Sequence, residues 1–413
     1  MGQPFKIGTM NSYPLYPGQV EWLLRLYVDS HNAFLANRPV DQALSSTFRK
    51  NKQLGSKDRK FYSTAIFGLC RYWGWLSGVS VENPLLALYY AYLFEGKIPA
   101  LWWSESLGQT PIDLPLEGLE NKLKFWKSHQ SDASLGQLNP AFVPEFLPET
   151  LEALSQRPPA WVRLYKEGGV LKKFRDGRIK AKQHKQMRDA WELSEGFNNT
   201  GFRGEAEVQD LASQAVARVC APKTNEDWLD YCAGAGGKGL HLGQILAGSG
   251  SLTLTDTRAG ALEKAHLRAL EADLNDFKYL VIEEGSDPLV GLTFDGVLAD
   301  VPCSGSGTWA RAPWLRWQLN IQELLALEQL QKEILDKAAQ KVRPGGVLVY
   351  ATCSLIESEN QGVVGSFLRA NPNFALEPFV DPISGESTPG ELAILPQDAK
   401  CNGMYICKMR ALG

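Results

Sequence analysis

A predicted strand that runs into DYCAGAGGKG, residues 230–239, and re-emerges as a helix constrains this chain more than any other feature. Gly234, Gly236 and Gly239 satisfy GxGxxG, and Asp256 lies twenty residues beyond Gly236, at the end of the next predicted strand. Glycines in such a turn let the backbone approach a ligand closely. A carboxylate at the next strand end can accept hydrogen bonds from ribose hydroxyls. The pattern predicts an open α/β sheet with a nucleoside cofactor over the turn, and it suits a nicotinamide dinucleotide or S-adenosylmethionine equally well. A Walker A loop is excluded, because Lys238 is followed by Gly239 rather than Ser or Thr and the opening glycine is missing.

The alternation of strands and helices continues from about Gly204 to the end. Strands are predicted at Asp227–Cys232, Leu252–Thr255, Tyr279–Ile282, Phe294–Ala299 and Val347–Ala351. Helices are predicted through Leu246 and over Ala259–Leu274, Ile321–Lys341 and Glu357–Arg369. Repeated strand–helix units imply a mainly parallel sheet with helices on both faces.

Two of the predicted strands end in cysteine-bearing turns: VLADVPCSGSGTW, with Asp300 and Cys303, and GGVLVYATCSLIESEN, with Cys353. Ligands of open α/β sheets bind at the carboxyl ends of the strands, where both cysteines fall. A lone cysteine there is more often a small core residue; two beside a cofactor turn form a constellation. Thiols at such a place suit methylation of cytosine at C5. That carbon is a poor nucleophile until a thiolate adds at C6 and turns the ring into an enamine. Asp300 is placed to hydrogen-bond N3 and the exocyclic amine of such a base.

At 413 residues the chain is too long for one core, and 44% hydrophobic with 22% charged residues is ordinary for a globular protein. No apolar run approaches the ~18 residues needed to cross a bilayer. The opening MGQPFKIGTM has no apolar signal core, and Lys6 stands where a myristoylation motif takes Ser or Thr, so a cytoplasmic protein is expected. Seven cysteines, with no CxxC pair, argue against a disulfide framework and a structural zinc, and no metal is expected. Cys70 and Cys220 read as core. The net charge of −3 does not announce a nucleic-acid binder, but eleven Lys and Arg between Arg157 and Arg188 face two acids, Glu167 and Asp176. They are interleaved with Trp161, Tyr165 and Phe174, a mixture that a phosphate-tracking, base-stacking surface needs. Residues 18–140 read as helical, with stripes at Trp22, Leu23, Leu26 and Tyr27, at Ala43, Leu44, Thr47 and Phe48, and along Asp58–Trp75.

Taken together, these motifs resemble the Sun/RsmB-type RNA 5-methylcytosine methyltransferases. GEAEVQDLASQAV (204–216), DYCAGAGGK, Asp256, DVPCSGSG, ARAPWLRW (310–317), ATCS and NGMYICKMR (402–410) follow in the family's order. Residues 43–72 resemble the NusB-like helical domain of the ribosomal-RNA members, and PPAWVRL (158–164) the start of their small RNA-binding module. The resemblance implies three domains: a helical NusB-like domain over 1–145, a basic α+β RNA-binding module over 146–205, and a Rossmann-like catalytic domain with a mainly parallel seven-stranded sheet over 206–413. It implies Cys353 as the nucleophile at C6 and Cys303 as the group assisting release; spacing alone leaves that choice open. S-adenosylmethionine would be held by Cys232, Ala233, Gly234, Ala235, Gly236, Gly237 and Lys238, by Asp256 at the ribose, by Asp287 near the adenine and by Asp300, with Lys238 also reaching the reacting base. The partner would be RNA, ribosomal more than transfer RNA, bound by a monomer away from any membrane. The chain departs from the family at AGAGGKG, usually AAPGGKT, at Val301 for alanine, at Ala261 where an Arg is common, and at Asn402 for Asp.

A nicotinamide dehydrogenase would share the glycine turn but has no use for a second cysteine. A non-catalytic RNA-binding protein would use the helical and basic segments alone.

Overall fold

The computed structural model describes residues 17–112, 114–144, 146–194, 204–274 and 277–412. The opening decapeptide with Lys6 lies outside the described residues. The chain divides into two compact units: residues up to Arg157 together with Thr308–Ile321, and Pro158–Gly307 together with Gln322 onward.

The first unit is helical. Helix Val40–Lys50 buries Val40, Leu44 and Phe48, spaced four apart on one face. Helix Pro84–Phe94 starts with proline at its first turn and with the Asn83 side chain accepting from the Leu86 amide 3.1 Å away. The stripe over Asp58–Trp75 is two helices, Ser56–Arg71 and Trp73–Glu82, parted at the fully buried Tyr72. The tyrosine hydroxyl donates to the Phe94 carbonyl at 3.2 Å. Segment 308–321 packs in this unit, although the sequence placed it in the catalytic domain. Arg71 donates to the Ala310 carbonyl at 2.7 Å, Trp317 to that of Cys70 at 2.7 Å, and Arg316 to that of Leu138 at 2.8 Å. Trp309 and Trp314, both buried, supply the apolar surface that gives the segment a place in a core.

The second unit holds two main sheets. The smaller comprises β1 (Ala160–Leu164), β2 (Ala181–Gln183), β3 (Ala190–Leu193) and β4 (Ala206–Val208), ordered β2-β3-β1-β4 and antiparallel throughout. Helix Gly169–Arg175 buries Val170, Leu171 and Phe174 against it. The larger sheet is built on β5 (Asp227–Asp230), β6 (Ser251–Asp256), β7 (Phe277–Val281), β8 (Phe294–Asp300) and β9 (Val342–Thr352), all parallel and ordered β7-β6-β5-β8-β9. After β9 come β10 (Phe374–Leu376), a short hairpin of β11 (Phe379–Val380) and β12 (Ser387–Thr388), β13 (Glu391–Ile394) and β14 (Met404–Ala411). β14 pairs antiparallel with β9, while β10 and β13 pair end to end along its other edge. The expected seven positions are filled, the outermost by two short strands rather than one.

Alternate residues of these strands feed two cores. Trp228, Leu252, Leu254, Leu298, Val347 and Val349 pack on one face; Leu229, Val297, Leu348, Tyr350, Tyr405 and Met409 pack on the other. Strands buried on both faces tolerate no slip of register, so their carboxyl ends are fixed on one edge. That edge carries Asp230, Asp256, Asp300 and Thr352.

Candidate active site

The turn after β5 closes tightly. The Gly236 amide donates to the Ala233 carbonyl at 2.8 Å, and Gly234 and Gly236 adopt φ of +55° and +82°, a region that side chains with a Cβ rarely enter. Gly236 then starts the helix Gly237–Leu246. Gln209, directly after β4, braces the turn by donating to the Gly237 carbonyl at 2.9 Å while accepting from buried Arg163 at 2.6 Å. Asp256 faces the turn from the end of β6 and accepts from the Gly234 amide at 2.8 Å. Its carboxylate also accepts from the Arg258 amide and side chain, both at 2.9 Å. Burial opposes ionisation of Asp256, but these hydrogen bonds from Arg258 and Gly234 outweigh it and hold the carboxyl below its usual range. The two carboxylate oxygens and the open ground over Gly234, where an added Cβ would meet only the Arg258 guanidinium, fit a nucleoside ribose once Arg258 swings aside.

Four side chains meet beyond the turn. Cys303 and Cys353, half-buried at the ends of β8 and β9, place their sulfurs 3.4 Å apart as free thiols. Lys238, from the first turn of the helix after the glycines, donates to Asp300 at 2.6 Å. Burial alone would favour neutral lysine; the adjacent Asp300 carboxylate more than reverses this and keeps the ammonium charged. The two thiols differ in surroundings. The Cys353 thiol is lowered, first by the hydrogen bond from Cys303 and further by Lys238, against burial and Asp300. Cys303 is pushed up by that same hydrogen bond, by burial, and by the negative charges of Cys353 and Glu359. A thiolate therefore forms more easily on Cys353, with Cys303 as the thiol that donates to it.

Other expected site residues fall differently. Ala233, Ala235 and Gly237 lie in the turn itself. Cys232 lies beneath it, its thiol held up by burial and then by Asp230, Asp300 and Asp256. Asp287 is not gathered with the others: its carboxylate accepts from Lys341 at 2.7 Å, next to the start of β9 at the opposite end of the sheet. Hydrogen bonding from Lys341 holds it low. Among the described residues, no group of three or more His, Cys, Asp or Glu side chains could hold a metal ion.

Three residues that the sequence did not single out complete the site. They are Asp230, buried beneath the turn; Arg258, paired with Asp256; and Glu359, which joins the two cysteine turns. Their sequence signal is no more than nearness to the motifs: Asp230 opens DYCAGAGGKG, Arg258 follows Asp256 by two residues and Glu359 follows Cys353 by six.

The basic segment departs from its expected form. Trp161 and Phe174 are core residues, 5% and 4% exposed, and so offer no ring for base stacking. Tyr165 donates its hydroxyl to Glu207, and Arg163 is wholly buried. An antiparallel sheet must fill its covered face, and these side chains do so. Lys172, Arg175, Arg178, Lys180, Lys182, Lys185 and Arg188 remain exposed.

Comparison with known proteins agrees with this geometry. A family model described as 16S rRNA methyltransferase RsmB/F matches residues 217–410. The chain is 31% identical over 273 residues to the ribosomal RNA small subunit methyltransferase B of Sodalis glossinidius, covering 63% of this chain and 61% of that one. It is 31% identical over 222 residues to the probable ribosomal RNA small subunit methyltransferase B of Bacillus subtilis, covering 51% of this chain and 48% of that one. The chain thus spans about three fifths or less of the curated relatives it matches. The crystal structure of the protein PH0851 superposes with a TM-score of 0.74 at 19% identity, covering 96% of this chain and 99% of that one, a likeness of fold. The cofactor turn, Asp256, the Lys238–Asp300 pair and both cysteines all lie inside the span that is similar to the RsmB/F methyltransferase family model.

Proposed function

We propose that the chain transfers a methyl group from S-adenosylmethionine to C5 of a cytosine in RNA, through a covalent bond from Cys353 to C6. The observation that carries this reading is the pair of thiols 3.4 Å apart, with Lys238 and Asp300 beside Cys353. The cofactor supplies an electrophilic sulfonium methyl group. The glycine turn would hold it through backbone contacts from Cys232 to Lys238, and Asp256 would accept from the ribose hydroxyls; Asp287, paired with Lys341, lends no support to an adenine contact.

Each protein group has one task in the cycle. Lys238 stabilises the Cys353 thiolate, which adds to C6 and leaves the electron pair delocalised toward C5 and N3. Asp300 accepts from the exocyclic amine, and from N3 once the adduct has taken up a proton there from solvent, selecting cytosine and steadying the adduct. C5 then bonds to the methyl carbon, released from the sulfonium sulfur. Cys303, having given its own proton to solvent, takes the C5 proton, and the C6–sulfur electron pair returns to Cys353 as N3 gives up its proton and the ring is restored.

Ribosomal RNA of the small subunit is the favoured substrate, supported by the names of the curated relatives; transfer RNA is the rival. The helical unit, read from the sequence as NusB-like over 1–145, and the small sheet module, read as 146–205 and reaching Val208 through β4, would bind that RNA. We further propose a monomer working in the cytoplasm; no helix among the described residues is long and apolar enough to cross a membrane. Radiolabelled methyl transfer to RNA tests the chemistry. Cys353→Ala should abolish transfer, whereas Cys303→Ala should trap a protein–RNA adduct that survives denaturing gels. A stable adduct in Cys353→Ala instead would exchange the two roles. Binding of NADH in place of S-adenosylmethionine would end the reading altogether.

A further inference from the structure

The two cysteine turns come from strand ends separated by fifty residues of sequence, yet their sulfurs are held 3.4 Å apart. Backbone bonding between the turns is sparse: the Gly307 amide donates to the Cys353 carbonyl at 2.9 Å. What binds them is a side chain outside both turns. Glu359 follows the second turn, in a short helical turn over Glu357–Glu359, and is fully buried. One carboxylate oxygen accepts from the Ser304 amide at 2.8 Å and from Gln331 at 2.9 Å. The other accepts from the hydroxyls of Ser304 and Ser354, each at 2.5 Å. Ser304 and Ser354 are the residues immediately after Cys303 and Cys353.

The surrounding bonds make the clamp rigid. Gln331 also donates to the Pro302 carbonyl at 2.9 Å, just before Cys303. Ser306 lies 3.0 Å from the Ser354 hydroxyl and accepts from the Leu355 amide at 2.7 Å. Tyr350 fixes the Glu359 backbone by donating to its carbonyl at 2.7 Å. A buried carboxylate met only by neutral hydrogen-bond donors costs desolvation, and such a group persists where its geometry is used.

We infer that Glu359 is a positioning residue: its carboxylate locks the residue after each cysteine to one point and thereby sets the separation of the two thiols. This rests on the reading of the cysteines given above. Glu359 touches no reacting atom; it acts through Ser304 and Ser354. Its negative charge also bears on both thiols, with Asp300 at Cys353 and against Lys238.

The test uses the thiols as a ruler. Diamide, an azo oxidant, takes the two hydrogens of a thiol pair and leaves a disulfide, at a rate that falls as the sulfurs separate. In the full chain, Glu359→Ala should slow Cys303–Cys353 crosslinking at least about tenfold and lower kcat about a hundredfold, with the KM for RNA and for S-adenosylmethionine nearly unchanged, because loss of about 1 Å of alignment costs on that order. Glu359→Gln keeps an oxygen for Ser304 and Gln331 and offers its amide to the two hydroxyls; it should restore crosslinking to within about threefold of the parent. If Glu359→Ala does not fold, Ser354→Ala releases one turn alone and should slow crosslinking severalfold. Crosslinking at the parental rate in a folded Glu359→Ala or Ser354→Ala chain overturns the inference. Crosslinking needs neither RNA nor methyl donor, so a parent that crosslinks as expected but methylates nothing would refute the proposed reaction and leave the clamp standing.

Discussion

Asp230 ends β5 directly beneath the glycine turn, 1% exposed, with one carboxyl oxygen lacking any hydrogen-bond partner. Burial first, and then the neighbouring Asp300, pushes its carboxyl up to about 8. In an unfolded chain an aspartate titrates near ~3.9. Below that pH both states hold the proton and the burial carries no ionisation penalty. Between there and about pH 8 only the unfolded chain releases it, so stability falls as pH rises, by at most about 1.4 kcal/mol per unit. Asp230→Asn keeps the shape and removes the linkage. In urea unfolding, its stability relative to the parent should therefore rise steadily from pH 5 to pH 8; parallel curves would mean that Asp230 is ionised within the fold. Residues of this kind were hidden in the sequence. Cys303 and Cys353 were legible because two thiols at strand ends are rare and because their chemistry demands a pair. Asp230 and Glu359 were not, since a carboxylate in a linear sequence reads as surface until the fold shows it buried.

The glycine turn joins local conformation to packing. Gly234 and Gly236 are needed for their positive φ, whereas Gly239 is needed for space. A Cβ on Gly239 would come within 2.7 Å of the Asp230 carboxylate and 2.9 Å of Leu254, while one on Gly237 would meet nothing within 4 Å. Gly239→Ala should consequently cost about 1–3 kcal/mol in denaturant unfolding, the usual range for overpacking, and Gly237→Ala should leave stability unchanged or slightly raised. Equal losses in the two variants would show that the helix rather than the strand contact limits this position. The parallel strands were readable to within a few residues because strands buried on both faces are continuous apolar runs between turn signals. β10 to β13 escaped notice: each is two to four residues long and partly exposed, so each carries too few side chains to show a period. Segment 308–321 was misplaced because position in sequence stood in for packing. Arg316 and Trp317 take their hydrogen-bond partners from Leu138 and Cys70, more than 170 residues earlier, and no local pattern encodes that.

For the molecule as a whole, net charge and charge placement point in opposite directions. The chain carries −3 overall, yet the small sheet and its helix concentrate exposed cations on one stretch. In the sequence, aromatics and cations there look like one nucleic-acid surface. The structure separates them, sending Trp161 and Phe174 into the core and leaving the charges outside. That changes the kind of RNA contact to expect. With no fully exposed ring among the described residues of the module, its contribution should be electrostatic, insensitive to sequence and steeply dependent on salt. Among these cations Arg178 is already paired with Asp176 at 2.5 Å, so its charge is partly answered within the protein. Replacing Lys172, Lys173, Arg175 and Arg178 with Ala should lower the slope of log K against log salt by about 2–3, somewhat less than four fully engaged phosphate contacts would give. Affinities for matched and scrambled RNAs should fall by the same factor. The measurement is a salt titration of RNA binding by the full chain and by the quadruple variant. An unchanged slope would return this stretch to the role of a solvated face. A loss confined to one RNA sequence would mean that the module reads bases after all.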